Sequence, residues 1–209
     1  MVRRNLKFWD FIAKRYARQA VPSEEQYQHK LEKTREFFTK DCQVFEFGCG
    51  TGTTALAHAP YTKSILAVDV SRKMLEIAEQ KRQAQAADNV SFQQATIEEL
   101  AFEPASFDVV MAHNILHLLD DKEAAIAKVY QWLKPGGVFV STNVCLGDRM
   151  TWWRPLLGFG RLIGVLPLVR FFSEQSLEDT LREAGFETEY RWQPKAGDSL
   201  FLVVRKSTH

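Results

Sequence analysis

The feature that most constrains the fold of this chain is a regular alternation of two kinds of segment between residues 44 and 142. Short apolar runs typical of strands alternate with segments of helical periodicity; the runs are 44–47, 65–69, 90–93, 107–112 and 138–142. Short apolar strands that are joined through helices form a parallel sheet with helices on both faces. The sequence therefore predicts a doubly wound, mostly parallel sheet in a three-layer α/β/α arrangement.

The C-terminal part of the chain has a different pattern. A helical segment at 177–184 is followed by two strand-like runs at 186–192 and 200–205. A short polar loop separates these two runs, which is typical of a hairpin. Such a hairpin would add an antiparallel strand at the C-terminal edge of the sheet. Further upstream, Lys134-Pro135-Gly136-Gly137 predicts a turn before the last run of the alternation.

The composition is typical of one soluble domain. Of the 209 residues, 45% are hydrophobic and 25% are charged, and a net charge of +1 gives no overall electrostatic signal for nucleic acid. The three cysteines include no C-x-x-C pair, which predicts a cytoplasmic protein rather than a disulfide scaffold. We interpret residues 1–209 as a single domain with two additions, an N-terminal helical lid at 1–40 and an apolar insertion at 146–172.

A glycine-rich turn follows the first apolar run, in the stretch VFEFGCGTG at 44–52. Its spacing, Gly48-x-Gly50-x-Gly52, differs from the G-x-G-x-x-G motif of dinucleotide-binding folds and from a P-loop, which requires a lysine after its last glycine. Glu46 stands two residues before the first glycine. Its charge would repel a phosphate but suits a ligand that carries an ammonium group or hydroxyls.

A second carboxylate supports this interpretation. Asp69 ends the next apolar run, 23 residues after Glu46. In open α/β sheets, ligands bind at the carboxyl ends of the strands, and an acidic residue about 20 residues past the glycine turn hydrogen-bonds a ribose diol. The two carboxylates together predict a ligand that contains a ribose and a cationic group and lacks a pyrophosphate.

Four segments in order, FEFGCGTG, AVDVSRKMLEIA, SFDVVMAHNILHLLDD and WLKPGGVFV, resemble the class I S-adenosylmethionine-dependent methyltransferases, in particular their small-molecule branch. The resemblance covers residues 44–142. It implies a Rossmann-like fold, S-adenosyl-L-methionine as cofactor and S-adenosyl-L-homocysteine as product. It also implies methyl transfer to an O, N or C atom of a small acceptor that is apolar or aromatic.

The resemblance assigns roles to individual positions. Glu46 and the glycine turn would hold the methionine portion, Asp69 would accept both ribose hydroxyls, and Met74 would either contact the adenine or pack in the core. Thr96 stands where the family often has an aspartate that bonds the adenine, so the main-chain groups of Ile97 could make that contact instead. The full set of expected cofactor-binding residues is Tyr16, Glu46, Gly48, Cys49, Gly50, Gly52, Asp69, Val70, Met74, Thr96, Ile97 and His113.

Two histidines after the fourth run are the candidates for catalysis. His113 would lie near the cofactor, and His117 could be a general base, a packing residue at the start of a helix, or a residue that contacts the ligand. A histidine titrates near neutral pH and can accept a proton from a hydroxyl or amine acceptor. The five histidines show no paired spacing for a metal, so no metal site is predicted.

Two segments could select the acceptor. Tyr16 resembles a lid aromatic of related methyltransferases, although it could equally pack in the core. Met150–Phe172 is rich in aromatic and aliphatic residues and could form a lid over an apolar pocket, a homodimer contact, or a segment at a membrane surface that serves a lipid-like acceptor. A non-catalytic, methyltransferase-like partner subunit is the alternative to an enzyme, and the glycine spacing disfavours a dinucleotide-dependent oxidoreductase.

Overall fold

The computed structural model describes residues 2–19, 23–145, 169–195 and 197–208. The helices are α1 (Val2–Arg18), α2 (Glu24–Arg35), α3 (Thr53–His58), α4 (Arg72–Ala84), α5 (Lys122–Trp132) and α6 (Glu174–Glu183). The strands are β1 (Gln43–Phe47), β2 (Ser64–Asp69), β3 (Val90–Gln94), β4 (Phe107–His113), β5 (Leu133–Asn143), β6 (Phe186–Trp192) and β7 (Leu200–Lys206). None of the described helices is long and apolar enough to cross a bilayer.

Most of the predicted insertion, including both tryptophans of Met150–Phe172, lies outside the described residues. The structure therefore does not choose between a pocket lid, a homodimer contact and a membrane-facing segment. These three interpretations remain predictions.

The seven strands form one sheet in the order β3-β2-β1-β4-β5-β7-β6. The first five strands run parallel, and β7 is antiparallel both to β5 and to the outermost strand β6. This confirms the predicted Rossmann-like fold with an antiparallel C-terminal hairpin at one edge. Strand order reverses between β1 and β4, and ligands in such sheets bind at the carboxyl ends of the strands near that point.

Side-chain caps fix where several of the helices begin. The residue before each of α2, α4, α5 and α6 has extended backbone, and its side-chain oxygen accepts a hydrogen bond from a main-chain N–H inside the helix. Such a cap satisfies one of the N–H groups that have no partner within the helix, which stabilises the helix by about 1 kcal/mol. The capping residues are Ser23, Ser71, Asp121 and Ser173.

The predicted turn at 134–137 is part of strand β5 in the structure. Phe107 pairs with Leu133 and Val109 with Val138, so four residues of β5 lie opposite one residue of β4 and form a bulge. Gly136 has a φ of +76°, which a side chain would strain. A turn residue pattern inside a strand is a usual signal for a bulge, because the extra residues need conformations outside the strand region.

His58, at the end of α3, has no exposed surface, and neither of its ring nitrogens has a hydrogen-bond partner. Burial lowers its pKa from 6.5 to about 3, and the charges of His113 and Arg35 add to this effect. Since the unfolded chain takes up the proton first, the stability contributed by neutral His58 is lost as the pH falls below 6.5.

We expect the free energy of unfolding to fall between pH 7 and pH 5 by about 1–2 kcal/mol more in the wild type than in His58→Leu. His113 and His117 titrate in the same direction, but both proteins contain them, so the difference isolates His58. Urea unfolding at the two pH values measures this difference. An equal loss of stability in both proteins would show that His58 does not carry the acid sensitivity.

Candidate cofactor site

All three glycines of the turn between β1 and α3 have left-handed backbone. Their φ angles are +68° at Gly48, +54° at Gly50 and +71° at Gly52. A Cβ atom on Gly48 would lie 2.6 Å from the Ile115 side chain, and one on Gly52 would lie 2.5 Å from the ring of Phe92. The nearest atom to a Cβ on Gly50 is Cε1 of Tyr16 at 3.8 Å, an ordinary van der Waals distance. Packing therefore requires glycine at positions 48 and 52, whereas a Cβ at position 50 would not be crowded.

This difference gives a stability prediction. We expect Gly52→Ala to lower the free energy of unfolding by about 2–4 kcal/mol, because backbone strain and overpacking add together. Gly50→Ala should cost only about 1–2 kcal/mol, from backbone strain alone. Chemical denaturation of the two variants measures both values. If both variants lost the same free energy of unfolding, a Cβ at Gly50 would be as crowded as one at Gly52, which would contradict the structure.

Asp69, at the carboxyl end of β2, holds two loops together. One carboxylate oxygen accepts a hydrogen bond from Gly50 N at 2.8 Å, and the other accepts one from Ser71 N at 2.8 Å. Burial raises the pKa of Asp69, while these main-chain hydrogen bonds act in the opposite direction. Each oxygen of a carboxylate can accept more than one hydrogen bond, so the group can still accept bonds from a diol.

Glu46 lies on β1 beneath the glycine turn. It is 2% exposed, and its Oε2 atom has no hydrogen-bond partner. Burial and the neighbouring charge of Asp69 raise the pKa of Glu46 to about 8, although a main-chain hydrogen bond from Ala55 acts in the opposite direction. A buried carboxylate without a partner is costly, and a cation placed beside it would favour the ionised form. The site therefore suits a ligand with a positive charge.

An open cleft lies beside Asp69. It is lined by the ends of β1 and β2, by the loop after β3, by the turn at 118–120, and by Trp9 of α1. In the loop after β3, Thr96 and Glu99 exchange hydrogen bonds, and the Nζ atom of Lys128 donates a hydrogen bond to the carbonyl of Ile97 at 3.1 Å.

The fold is shared with solved structures. The crystal structure of YcgJ from Bacillus subtilis matches with a TM-score of 0.71 and 20% sequence identity, over 86% of this chain and 99% of that chain. At this level of identity the match shows the fold alone. Assignment to a family therefore needs support from sequence.

Sequence comparison supplies that support. A family model described as a methyltransferase domain matches residues 45–141, which include the glycine turn and Asp69. Residues 45–141 of this chain thus match a methyltransferase domain. The uncharacterized methyltransferase YcgJ of Bacillus subtilis is 36% identical over 106 residues, which are 49% of this chain and 42% of that protein. The O-methyltransferase resE of Aspergillus sclerotiorum is 32% identical over 145 residues, 68% of this chain and 54% of that protein. The chain thus spans about half the length of these curated relatives.

The family and fold of the methyltransferase domain imply S-adenosylmethionine as its cofactor, and the residues present fit this molecule. The unpaired, buried oxygen of Glu46 suits its cationic portion. Asp69 stands at the carboxyl end of β2, where a ribose would bind, and Gly50 has no side chain that would block approach to the main chain.

The structure places the other expected cofactor residues of the methyltransferase domain as follows. Val70, Thr96 and Ile97 line the cleft. Cys49 is buried in the glycine turn, and Met74 is 2% exposed and does not line the cleft. Met74 therefore packs in the core of this structure, and its contact with adenine remains a prediction.

Tyr16 lies over the glycine turn and is 45% exposed. Burial of its hydroxyl raises its pKa, and the charge of Asp69 contributes. Its ring also contacts Trp9 edge-to-face, with centroids 6.4 Å apart. Tyr16 therefore has both a packing neighbour and a position facing the site, and its role as a lid aromatic stays a prediction.

The two candidate catalytic histidines differ in their surroundings. His113 ends β4, and its Nδ1 atom lies 2.9 Å from Thr142 Oγ1. His117 lies in a 3-10 turn, and its main-chain carbonyl accepts a hydrogen bond from Arg170 N at 2.7 Å. Burial lowers the pKa of each to about 4, and for His113 the charge of Lys30 contributes. Both rings are therefore neutral at pH 7, and each would be a weak general base.

Sequence reasoning did not place Trp9 and Asp10 at the site. Trp9 lines the cleft, and Asp10 accepts hydrogen bonds from Ser71 Oγ at 2.6 Å and from Lys73 N at 3.2 Å. Through Asp10, α1 is bound to the first turn of α4, next to Asp69. The amphipathic pattern of α1 predicts a packed face, but the element against which this face packs is known only from the tertiary structure.

Proposed function

We propose that this protein transfers a methyl group from S-adenosylmethionine to a small molecule. The observation that carries the proposal is the pair formed by Glu46, buried with an unpaired oxygen, and Asp69, which stand at the carboxyl ends of adjacent strands. The first suits a cation and the second suits a ribose, and S-adenosylmethionine carries both groups. Several relatives, including the O-methyltransferase resE, support an oxygen atom as the acceptor.

S-adenosylmethionine supplies a methyl group on a sulfonium, which is already a strong electrophile. The protein therefore contributes mainly by holding the acceptor in line with that methyl group. Glu46 and the glycine turn would hold the amino acid portion, and Asp69 would hold the ribose. The cleft between Thr96, Ile97 and Trp9 would take the adenine and exclude water from it.

Calorimetry with S-adenosylhomocysteine tests the binding half of the proposal. We expect dissociation constants in the micromolar range for S-adenosylhomocysteine and no measurable heat with NAD under the same conditions. A protein that binds NAD but not S-adenosylhomocysteine would overturn the proposal. Transfer of a labelled methyl group to a panel of phenols, carboxylic acids and amines then separates an enzyme from a partner subunit that only binds the cofactor.

A further inference from the structure

Lys30 lies on the inward face of α2. It shares that face with Tyr27, Leu31 and Thr34, because residues three, four and seven positions apart lie on one side of a helix. Leu31 and Thr34 are 4% and 1% exposed. Burial lowers the pKa of Lys30, while the charge of Asp198 acts in the opposite direction. An inward-facing lysine is costly to desolvate, so its presence requires an explanation.

The strand register shows where this lysine lies relative to the cofactor site. Glu46 pairs with Met111, and His113 follows Met111 by two residues, so Glu46 and His113 project from the same face of the sheet. Burial and the charge of Glu46 raise the pKa of Tyr27, and the charge of Lys30 acts on His113. Helix α2 therefore carries Tyr27 close enough to Glu46, and Lys30 close enough to His113, for each charge to act on its neighbour.

His113 and Lys30 have unused hydrogen-bonding capacity on this face. His113 Nε2 is buried and has no partner, although Nδ1 is engaged with Thr142. Within the described parts of the chain, Lys30 forms no ion pair with a carboxylate. Leaving the buried Nε2 atom of His113 without a partner costs about 1–3 kcal/mol, and an anion bound beside Lys30 would satisfy this atom in the tautomer that carries the proton on Nε2.

Aromatic rings form the neighbouring wall. Lys30 Nζ lies 6.0 Å from the centroid of the Trp192 ring. The ring of His29 packs against Trp192 with centroids 4.4 Å apart, and His29 Nε2 lies 3.0 Å from the hydroxyl of Tyr190. A cation beside aromatic rings suits a flat ligand with one negative charge.

We infer that Lys30 and His113 bind the charged oxygen of the methyl acceptor, a small aromatic molecule that carries a phenolate or a carboxylate. This inference rests on the proposed function and specifies its acceptor. The acceptor enters as the anion, having lost its proton to solvent. Its oxygen–carbon bond forms as the carbon–sulfur bond of S-adenosylmethionine breaks, which yields a methyl ether or ester and S-adenosylhomocysteine. An acceptor that arrives ionised does not require His113 or His117 as a base.

The test uses the protein saturated with S-adenosylhomocysteine and three probes, namely 4-nitrophenol, benzoate and the uncharged 4-nitroanisole. The absorbance of 4-nitrophenol reports its ionisation directly. We expect the wild type to lower the pKa of bound 4-nitrophenol by about one unit or more, and Lys30→Met to abolish this shift. Lys30→Met should weaken the binding of 4-nitrophenolate and benzoate at least about tenfold, and it should change the affinity for 4-nitroanisole by no more than about twofold.

Lys30→Met should also raise the midpoint of thermal unfolding, because it replaces a desolvated charge by an apolar side chain. Lys33→Met is the matched control. Lys33 lies 4.6 Å from the Tyr190 ring but pairs with Glu36, so its replacement should change neither probe binding nor the ionisation of 4-nitrophenol.

Equal binding of the anions by the wild type and Lys30→Met would overturn the inference. So would a wild type that binds 4-nitroanisole as tightly as the anions, or one that binds none of the three probes. Failure of the wild type to bind S-adenosylhomocysteine would instead overturn the proposed function. The two failures are therefore distinguished by calorimetry with S-adenosylhomocysteine alone, measured before any probe is added.

Discussion

Glu46→Gln is expected to stabilise the ligand-free protein at pH 8 and to weaken its binding of S-adenosylhomocysteine. Burial raises the pKa of the Glu46 carboxyl in the folded protein to about 8, whereas the pKa of an ordinary glutamate is 4.5. Between these values the folded state holds more protons than the unfolded state, so the free energy of unfolding falls as the pH rises. Glutamine does not titrate and avoids this loss. We expect a gain of about 2 kcal/mol or more at pH 8 and little gain at pH 5.

A bound ligand with an ammonium group would favour the ionised form of Glu46 over the protonated form. The ammonium group of S-adenosylhomocysteine would favour the ionised form of Glu46, so binding at pH 7 should release about one proton from the wild type and none from Glu46→Gln. Calorimetry in buffers of different ionisation enthalpy measures the released proton. Glu76→Gln is the control, because Glu76 is exposed on α4 and pairs with Arg72. A pH-independent difference in stability, together with unchanged binding, would contradict the role of Glu46.

Asp69→Asn should reduce the affinity for S-adenosylhomocysteine by about 100-fold or more. Hydrogen bonds to a charged group contribute about 1.5–3 kcal/mol each, and both ribose hydroxyls would lose a charged acceptor. The variant also loses stability, because the amide nitrogen of asparagine would face either Gly50 N or Ser71 N, and two donors cannot bond. Calorimetry and urea unfolding measure the two effects separately.

Asp108→Asn is the matched control for this loss of stability. Asp108 also accepts a main-chain hydrogen bond, from Gln43 N at 2.8 Å, and it pairs with Lys134. Because Asp108 lies at the amino end of β4, away from the cleft, Asp108→Asn should lower stability and leave the affinity unchanged. If both variants lost the same affinity, the effect of Asp69→Asn would reflect general destabilisation and not contact with the ribose.

Much of the fold was predictable because its signal is local. Short apolar runs between helical segments specify a parallel sheet, and the polar loop between 186–192 and 200–205 specifies a hairpin. Residues 134–137 were predicted to form a turn, but they form a bulged part of strand β5. A bulge and a turn need the same backbone freedom, and only the partner strand distinguishes them.

The residues of the candidate site also differ in whether a local sequence signal reveals them. Glu46 and Asp69 were found from sequence because each stands near the carboxyl end of an apolar run, and the carboxyl ends of parallel strands meet at one edge of the sheet. Lys30 carried no such signal. Its sequence neighbours in α2 are mostly polar, and it could be taken for a solvated residue until the packing of α2 across the sheet is known.

The sequence by itself determined the order of the elements, the glycine turn and the chemistry of the cofactor site, because these depend on spacing along one stretch of chain. The tertiary structure alone decided which side chains from distant segments lie together. Trp9 of α1 lines the cleft, and Lys30 of α2 lies beside Trp192 of β6, because packing brings these segments together. Periodicity shows that a helix has a buried face, but the partner of that face is set by the whole core.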